Sequence, residues 1–110
     1  MSTSSAALPT AEAITVHDLI HATAPAIASL PLLRTSGGTA TLFAFDVCQA
    51  LKEHTSPFEA LLFVLEGRLT VTIGGAPVPA VAGTVVRLPI SVPHAVQAEA
   101  PARMLLVILR

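Results

Sequence analysis

The sequence predicts a single all-β domain, built as a small two-sheet barrel behind an N-terminal arm. Three observations predict it. After Ala28 the chain consists of short apolar or alternating runs, Gly or Pro residues separate most of these runs, and none of them is long enough for a helix. Runs of about four to eight residues with regular turn signals are typical of sandwiches and barrels. A chain of 110 residues has room for one such domain.

The first 28 residues differ in texture and are interpreted as an arm, which leaves residues 29–110 for the barrel. Residues 1–12 are small and polar, so we expect them to be loosely attached. Residues 14–22 are compatible with one short helix, which Ala24-Pro25 would end. His17 and His21 have the i, i+4 spacing of some metal sites, but no Glu follows His17, so a surface helix is the better interpretation.

Nine strands are predicted in the barrel. They cover residues 30–35, 39–45, 49–54, 59–66, 68–73, 78–81, 84–88, 95–98 and 104–109. In the fifth, Leu69, Val71 and Ile73 alternate with threonines, which gives one buried and one exposed face. Gly74-Gly75 then permits a tight hairpin. Residues 59–66 are apolar on both faces, so this strand should line the barrel and also meet a second sheet or subunit.

Composition limits the partners. Because 53% of the residues are hydrophobic and only 12% are charged, we expect a homodimer to cover part of the apolar surface. The net charge of −1, six scattered basic residues and the lack of Trp and Tyr argue against nucleic-acid binding. No apolar run approaches the roughly 18 residues of a membrane span. A single cysteine, Cys48, and the lack of a signal-peptide pattern predict a cytoplasmic location.

Two motifs in residues 54–94 carry a family resemblance. His54-Thr-Ser-Pro-Phe-Glu-Ala is followed by Val64-Leu-Glu-Gly, and after the predicted hairpin comes Gly83-Thr-Val-Val-Arg-Leu-Pro-Ile-Ser-Val-Pro-His94. In this order and spacing they resemble the two motifs of the cupin superfamily, specifically the small RmlC-like, type-2 conserved barrels. The resemblance extends over residues 39–109 and implies a jelly-roll barrel, a double-stranded β-helix, around a small cavity.

The resemblance also implies a metal-ligand set, which this sequence keeps only in part. Metal-binding cupins usually have two histidines with a single residue between them, followed by a glutamate and a final histidine. His54 and His94 match the first and last histidines, whereas Ser56 and Ala60 replace the other two ligands. Glu59 and Cys48 are the candidates for a third donor. Strand alternation turns Glu59 away from the cavity if Ala60 faces it, unless a bulge intervenes.

Three functions remain open at this point. The first is binding of a small molecule in a pocket marked by His54 and His94 and walled by Leu62 and Val64. The second is a metal-dependent enzyme, by resemblance a dioxygenase or isomerase, with iron, manganese, zinc or nickel. The third is a structural or regulatory dimer without catalysis. The loss of two ligands argues against the second and the retained histidines against the third, and a shared fold does not decide among them.

Overall fold

The computed structural model describes residues 5–6 and 8–110, and this part of the chain contains ten strands and one short helix. The elements are β1 (Ser5–Ala6), α1 (Val16–Leu19), β2 (Ile27–Thr35), β3 (Gly38–Phe45), β4 (Ala50–His54), β5 (Glu59–Glu66), β6 (Arg68–Ile73), β7 (Ala76–Val81), β8 (Val85–Leu88), β9 (His94–Ala98) and β10 (Ala102–Leu109). The nine predicted strands are therefore present, with ends shifted by a few residues. No helix in the described residues is long and apolar enough to cross a membrane.

The strands form two antiparallel sheets that face each other as a jelly roll. The larger sheet has the order β1-β2-β3-β10-β5-β8, and the smaller has the order β4-β9-β6-β7. From β3 onward, consecutive strands lie in different sheets, as β5 and β6 do, except for the β6–β7 hairpin, so the chain crosses repeatedly between the sheets. The all-β class predicted from the sequence is confirmed, and so is the predicted hairpin, in which Ile73 pairs with Ala76 across Gly74-Gly75.

The core lies between the sheets and follows the alternation of each strand. Along β5 the inward residues Ala60, Leu62 and Val64 are buried. On β6 the inward residues are Leu69 and Val71, which are buried as the alternation predicted. Burial of these side chains supplies the main free energy that holds the two sheets together.

A second, smaller core forms on the outer face of the larger sheet. Ile20, just beyond α1, is buried there against Leu32, Leu42 and Ala44. Leu8, Val16 and Leu19 of the N-terminal segment also pack against this cluster. The prediction that residues 1–12 are loosely attached falls partly on residues 1–4 and 7, which lie outside the described residues; Ser5–Ala6 pairs with β2. Helix α1 lies inside the predicted segment and ends at Leu19, where Ile20 adopts an extended conformation.

The rest of that outer face exposes apolar side chains, and it is the surface where we expect the homodimer to form. Val85 is 54% exposed and Leu33 is 47% exposed, and Phe63 between them is only partly buried. The charges at the edge of the face, Arg87 and Glu59, pair with each other, so a second copy of the same face would meet no uncompensated charge.

The dimer therefore remains a prediction with a defined surface. We expect sedimentation velocity at micromolar concentration to show a dimer, and a Val85→Glu variant to shift it to monomer, because the introduced carboxylate would have to be desolvated at the interface. A wild-type protein that sediments as a monomer under these conditions would contradict the prediction.

Candidate functional site

The two motif histidines meet at one end of the barrel. His54 is the last residue of β4 and His94 is the first residue of β9, and the two are paired across the antiparallel ladder. Their Nε2 atoms lie 3.1 Å apart, and the rings are 4.3 Å apart between centroids with an edge-to-face orientation. His94 is 5% exposed, whereas His54 is exposed at the rim. The pair thus has one member in the wall and one at the mouth.

Loop contacts hold this end of the barrel in place. The amide of Ser91 donates to the carbonyl of Ser56 (2.8 Å), and the amide of Gly74 donates to the carbonyl of Pro93 (2.8 Å). The hydroxyl of Ser56 accepts a hydrogen bond from the amide of Phe58 (3.1 Å). Ser56 occupies the place of a family histidine, and here its side chain stabilises the turn into β5.

A cavity of about 210 Å³ lies beside the histidine pair, between the two sheets. Its walls are apolar apart from the two imidazoles and contain no charged side chain. The lining residues are Phe43, Leu51, His54, Leu62, Leu88, His94, Val96, Met104 and Leu106. Of the two aliphatic residues that the sequence placed in the wall, Leu62 lines this cavity, and Val64 is buried in the core without lining it.

Both imidazoles are oriented by backbone carbonyls. Nδ1 of His54 lies 2.9 Å from the Lys52 carbonyl, and Nδ1 of His94 lies 3.3 Å from the Val92 carbonyl. Because a carbonyl only accepts, this network assigns the hydrogen of each neutral ring to Nδ1. With both rings neutral in this tautomer, both Nε2 atoms are acceptors, and their 3.1 Å contact is a hydrogen bond only when a proton lies between them. The pair can be satisfied by one additional proton, by a donor from a ligand or by a cation.

Electrostatics favour the neutral form of the buried ring. Burial is the main cause that lowers the pKa of His94 below its ordinary value, and the neighbouring His54 lowers it further. The carbonyl of Val92 opposes this shift only in part. The neutral form of His94 is therefore favoured at neutral pH, which leaves the buried wall of the cavity without a charge.

The two weaker candidates for a third metal donor lie elsewhere. The carboxylate of Glu59 accepts hydrogen bonds from Arg87 and from the amide of Ile90. The hydrogen bond from Arg87 is the main reason why the pKa of Glu59 lies below its ordinary value. Cys48 is exposed in the turn between β3 and β4. The structure thus brings His54 and His94 together but places neither Glu59 nor Cys48 with them.

The donor set therefore does not fit the metal centre that the resemblance implies. Catalytic zinc generally has three protein ligands, and non-haem iron commonly has two histidines and one carboxylate. Within residues 8–110, no group of three or more His, Cys, Asp and Glu side chains is placed to hold an ion. The orientation of both imidazoles through Nδ1 is the one found in metal-binding histidines, yet the site supplies only two ligands.

Comparison with known proteins agrees with the fold. The sequence model of the cupin domain family matches residues 42–108, which is more than half of the chain. The chain belongs to the cupin family. No curated protein matches the sequence.

Solved structures similar to this cupin are small proteins of the same fold. A conserved protein of unknown function from Streptococcus pyogenes is 24% identical with a TM-score of 0.88, over 94% of this chain and 90% of that chain. A cupin superfamily protein from Desulfitobacterium hafniense is 22% identical with a TM-score of 0.87, over 93% and 94%. A cupin 2 conserved barrel domain protein from Leptotrichia buccalis is 28% identical with a TM-score of 0.85; the match covers 88% of this chain but 47% of that one. These similarities show the fold only. The function has to be inferred from the site.

Proposed function

We propose that this cupin binds a small, largely apolar molecule in the cavity beside His54 and His94. The observation that carries the proposal is the combination of apolar walls with one oriented pair of imidazole acceptors at the end of a cavity of about 210 Å³. Ligand sites are typically concave and mostly apolar, with a small number of polar groups that fix the orientation of the ligand. The exposed position of His54 at the rim provides a route of entry past the pair.

Benzene is a direct probe of this proposal, because an engineered apolar cavity of about 150 Å³ binds it. Met1 and Met104 are the only methionines of the chain, and Met104 lines the cavity. We expect titration with benzene to give a saturable shift of the Met104 methyl resonance in ¹H–¹³C spectra. Absence of any saturable shift would refute the proposal.

A filled cavity should lose this response. Leu51 lines the cavity from β4 and is only partly buried, so Leu51→Phe places a larger side chain in the same space. We expect benzene binding to weaken about tenfold or more, since the remaining space no longer accepts the ring. Val47→Phe is the matched control, because Val47 is exposed and does not line the cavity. Equal weakening in both variants would show that benzene binds elsewhere.

Metal-dependent catalysis is the alternative function. The orientation of both imidazoles through Nδ1 favours it, and metal analysis tests it. Because only two ligands are supplied, we expect protein purified without a tag or chelator to carry no stoichiometric metal. Zinc, iron or manganese uptake should also be the same in the His54→Ala/His94→Ala variant, which has lost the pair. Near-stoichiometric metal that disappears in this double variant would instead favour the enzyme.

A further inference from the structure

The histidine pair limits the chemistry of a ligand in the proposed site. Both Nδ1 atoms face backbone carbonyls, so in neutral rings that carry their hydrogen on Nδ1 both Nε2 atoms are acceptors, 3.1 Å apart. Two acceptors at this distance repel each other unless a hydrogen lies between or beside them. A ligand group that donates one hydrogen bond completes the pair, and a group that only accepts does not.

The cavity also limits the size of the ligand. Its volume of about 210 Å³ exceeds the roughly 150 Å³ that suffices for benzene. A single six-membered ring with one or two small substituents therefore fits. Phe43 and Met104 in the wall favour an aromatic ring, because aromatic and thioether groups both pack well against ring edges and faces.

The walls argue against charged and strongly polar ligands of the same size. No Lys or Arg lines the cavity. A bound carboxylate would therefore lose its hydration without gaining a cationic partner. A sugar would bury several hydroxyls, but the two imidazoles are the only polar side chains in the lining.

We propose that the ligand is a single-ring aromatic or similarly compact apolar molecule with one neutral hydroxyl, a phenol or an enol, whose O–H is donated to the Nε2 pair of His54 and His94. This inference rests on the proposed function, since it requires that the cavity be a ligand site. It adds the class of ligand: one donor, no charge, and an apolar body about the size of a substituted benzene.

Three ligands of matched shape test the inference on the wild-type protein. p-Cresol and p-xylene differ only in a hydroxyl against a methyl group, and 4-methylbenzoate replaces the hydroxyl by a carboxylate. Affinities are measured through the Met104 methyl resonance. We expect p-cresol to bind about tenfold more tightly than p-xylene, which is the effect of one ordinary hydrogen bond. 4-Methylbenzoate should bind more weakly than both, because its charge is not compensated.

The variant His54→Leu removes one acceptor at the exposed rim, where the substitution is least expected to unfold the chain. We expect the preference for p-cresol to fall in this variant, and to vanish in His54→Leu/His94→Leu if that protein stays folded. p-Xylene binding as tightly as p-cresol to the wild type would overturn the hydroxyl assignment while leaving the ligand site intact. Tightest binding of 4-methylbenzoate would identify an anion site instead. Failure of benzene and of all three compounds to bind would overturn the proposed function itself.

Discussion

Replacing Gly67 by Ala is expected to remove a large part of the stability of this cupin. Gly67 joins β5 to β6, where the chain passes from the larger to the smaller sheet, and its φ of +77° lies in the left-handed region. A Cβ atom at this position would lie 2.2 Å from the carbonyl oxygen of Pro101 and 2.8 Å from the Cα of Ala102. Both contacts are with backbone atoms, so no side-chain rotation can relieve them.

Two costs add at this position. The left-handed conformation costs a non-glycine residue about 1–2 kcal/mol, and overpacking adds about 1–3 kcal/mol. We therefore expect the free energy of unfolding in urea to fall by about 2–5 kcal/mol, out of the roughly 5–15 kcal/mol of a typical domain.

Gly75→Ala is the matched control for this prediction. Gly75 also has a positive φ, +84°, but a Cβ there would meet nothing within 4 Å. Only the conformational cost remains, so we expect a loss of about 1 kcal/mol. Similar losses in the two variants would mean that Gly67 is required for its φ alone and that the close approach to Pro101 is unimportant.

Gly67 is an example of the local signals from which the barrel could be predicted. The strands were predicted from alternation and from turn residues, and glycines at the ends of strands have physical reasons that act locally. Alternation also predicted that Glu59 faces outward if Ala60 faces inward, unless a bulge intervenes, and the structure has this arrangement. Strand parity is a local property, and that is why it could be predicted without knowing which strands pair.

The site was less accessible to prediction because it depends on register between distant strands. His54 and His94 came from motif spacing, but their pairing depends on the β4–β9 ladder. Met104 entered the cavity through the pairing of β10 with β3 and β5, for which the sequence contains no local signal. The alternation of His94 and Val96 along β9 was a usable signal for one further wall residue that the sequence reasoning did not include.

Side-chain networks between separate segments were the least predictable feature. The sequence predicted that His17 and His21 lie on a surface helix. In the structure Glu66 pairs with Arg103, its neighbour across the β5–β10 ladder, and with His17. These contacts join segments that are 37 and 49 residues apart. Spacing along the chain carries no information about them.

Arg103 is the centre of this network and fixes the N-terminal segment to the barrel. Its side chain is only 14% exposed. The guanidinium donates to the carboxylate of Glu66, to the carbonyl of Ile20 (2.9 Å) and to Nδ1 of His21 (3.1 Å). Ile20 belongs to the outer core, so these hydrogen bonds hold that core against the larger sheet.

Arg103→Met is therefore expected to lower the free energy of unfolding by about 2–3 kcal/mol at pH 7, because methionine keeps much of the apolar stem but loses three hydrogen bonds from a charged group. Arg87→Met is the control. Arg87 also pairs with a glutamate, Glu59, but its side chain is 72% exposed, so we expect a much smaller loss. Equal losses, measured by urea unfolding, would contradict the role assigned to Arg103.

The same variant should show a distinct dependence on pH. Partial burial raises the pKa of Glu66, but hydrogen bonds from His17 and Arg103 outweigh it and hold the pKa below its ordinary value of 4.5. A carboxyl whose pKa is depressed on folding stabilises the protein above its unfolded pKa, and this contribution is lost as the pH falls through the folded value. The difference in unfolding free energy between the wild type and Arg103→Met should thus be full at pH 7 and shrink below about pH 4.5. A difference that stayed constant down to pH 3 would show that Arg103 acts through its other contacts, such as the hydrogen bond to the Ile20 carbonyl, and not through the Glu66 carboxylate.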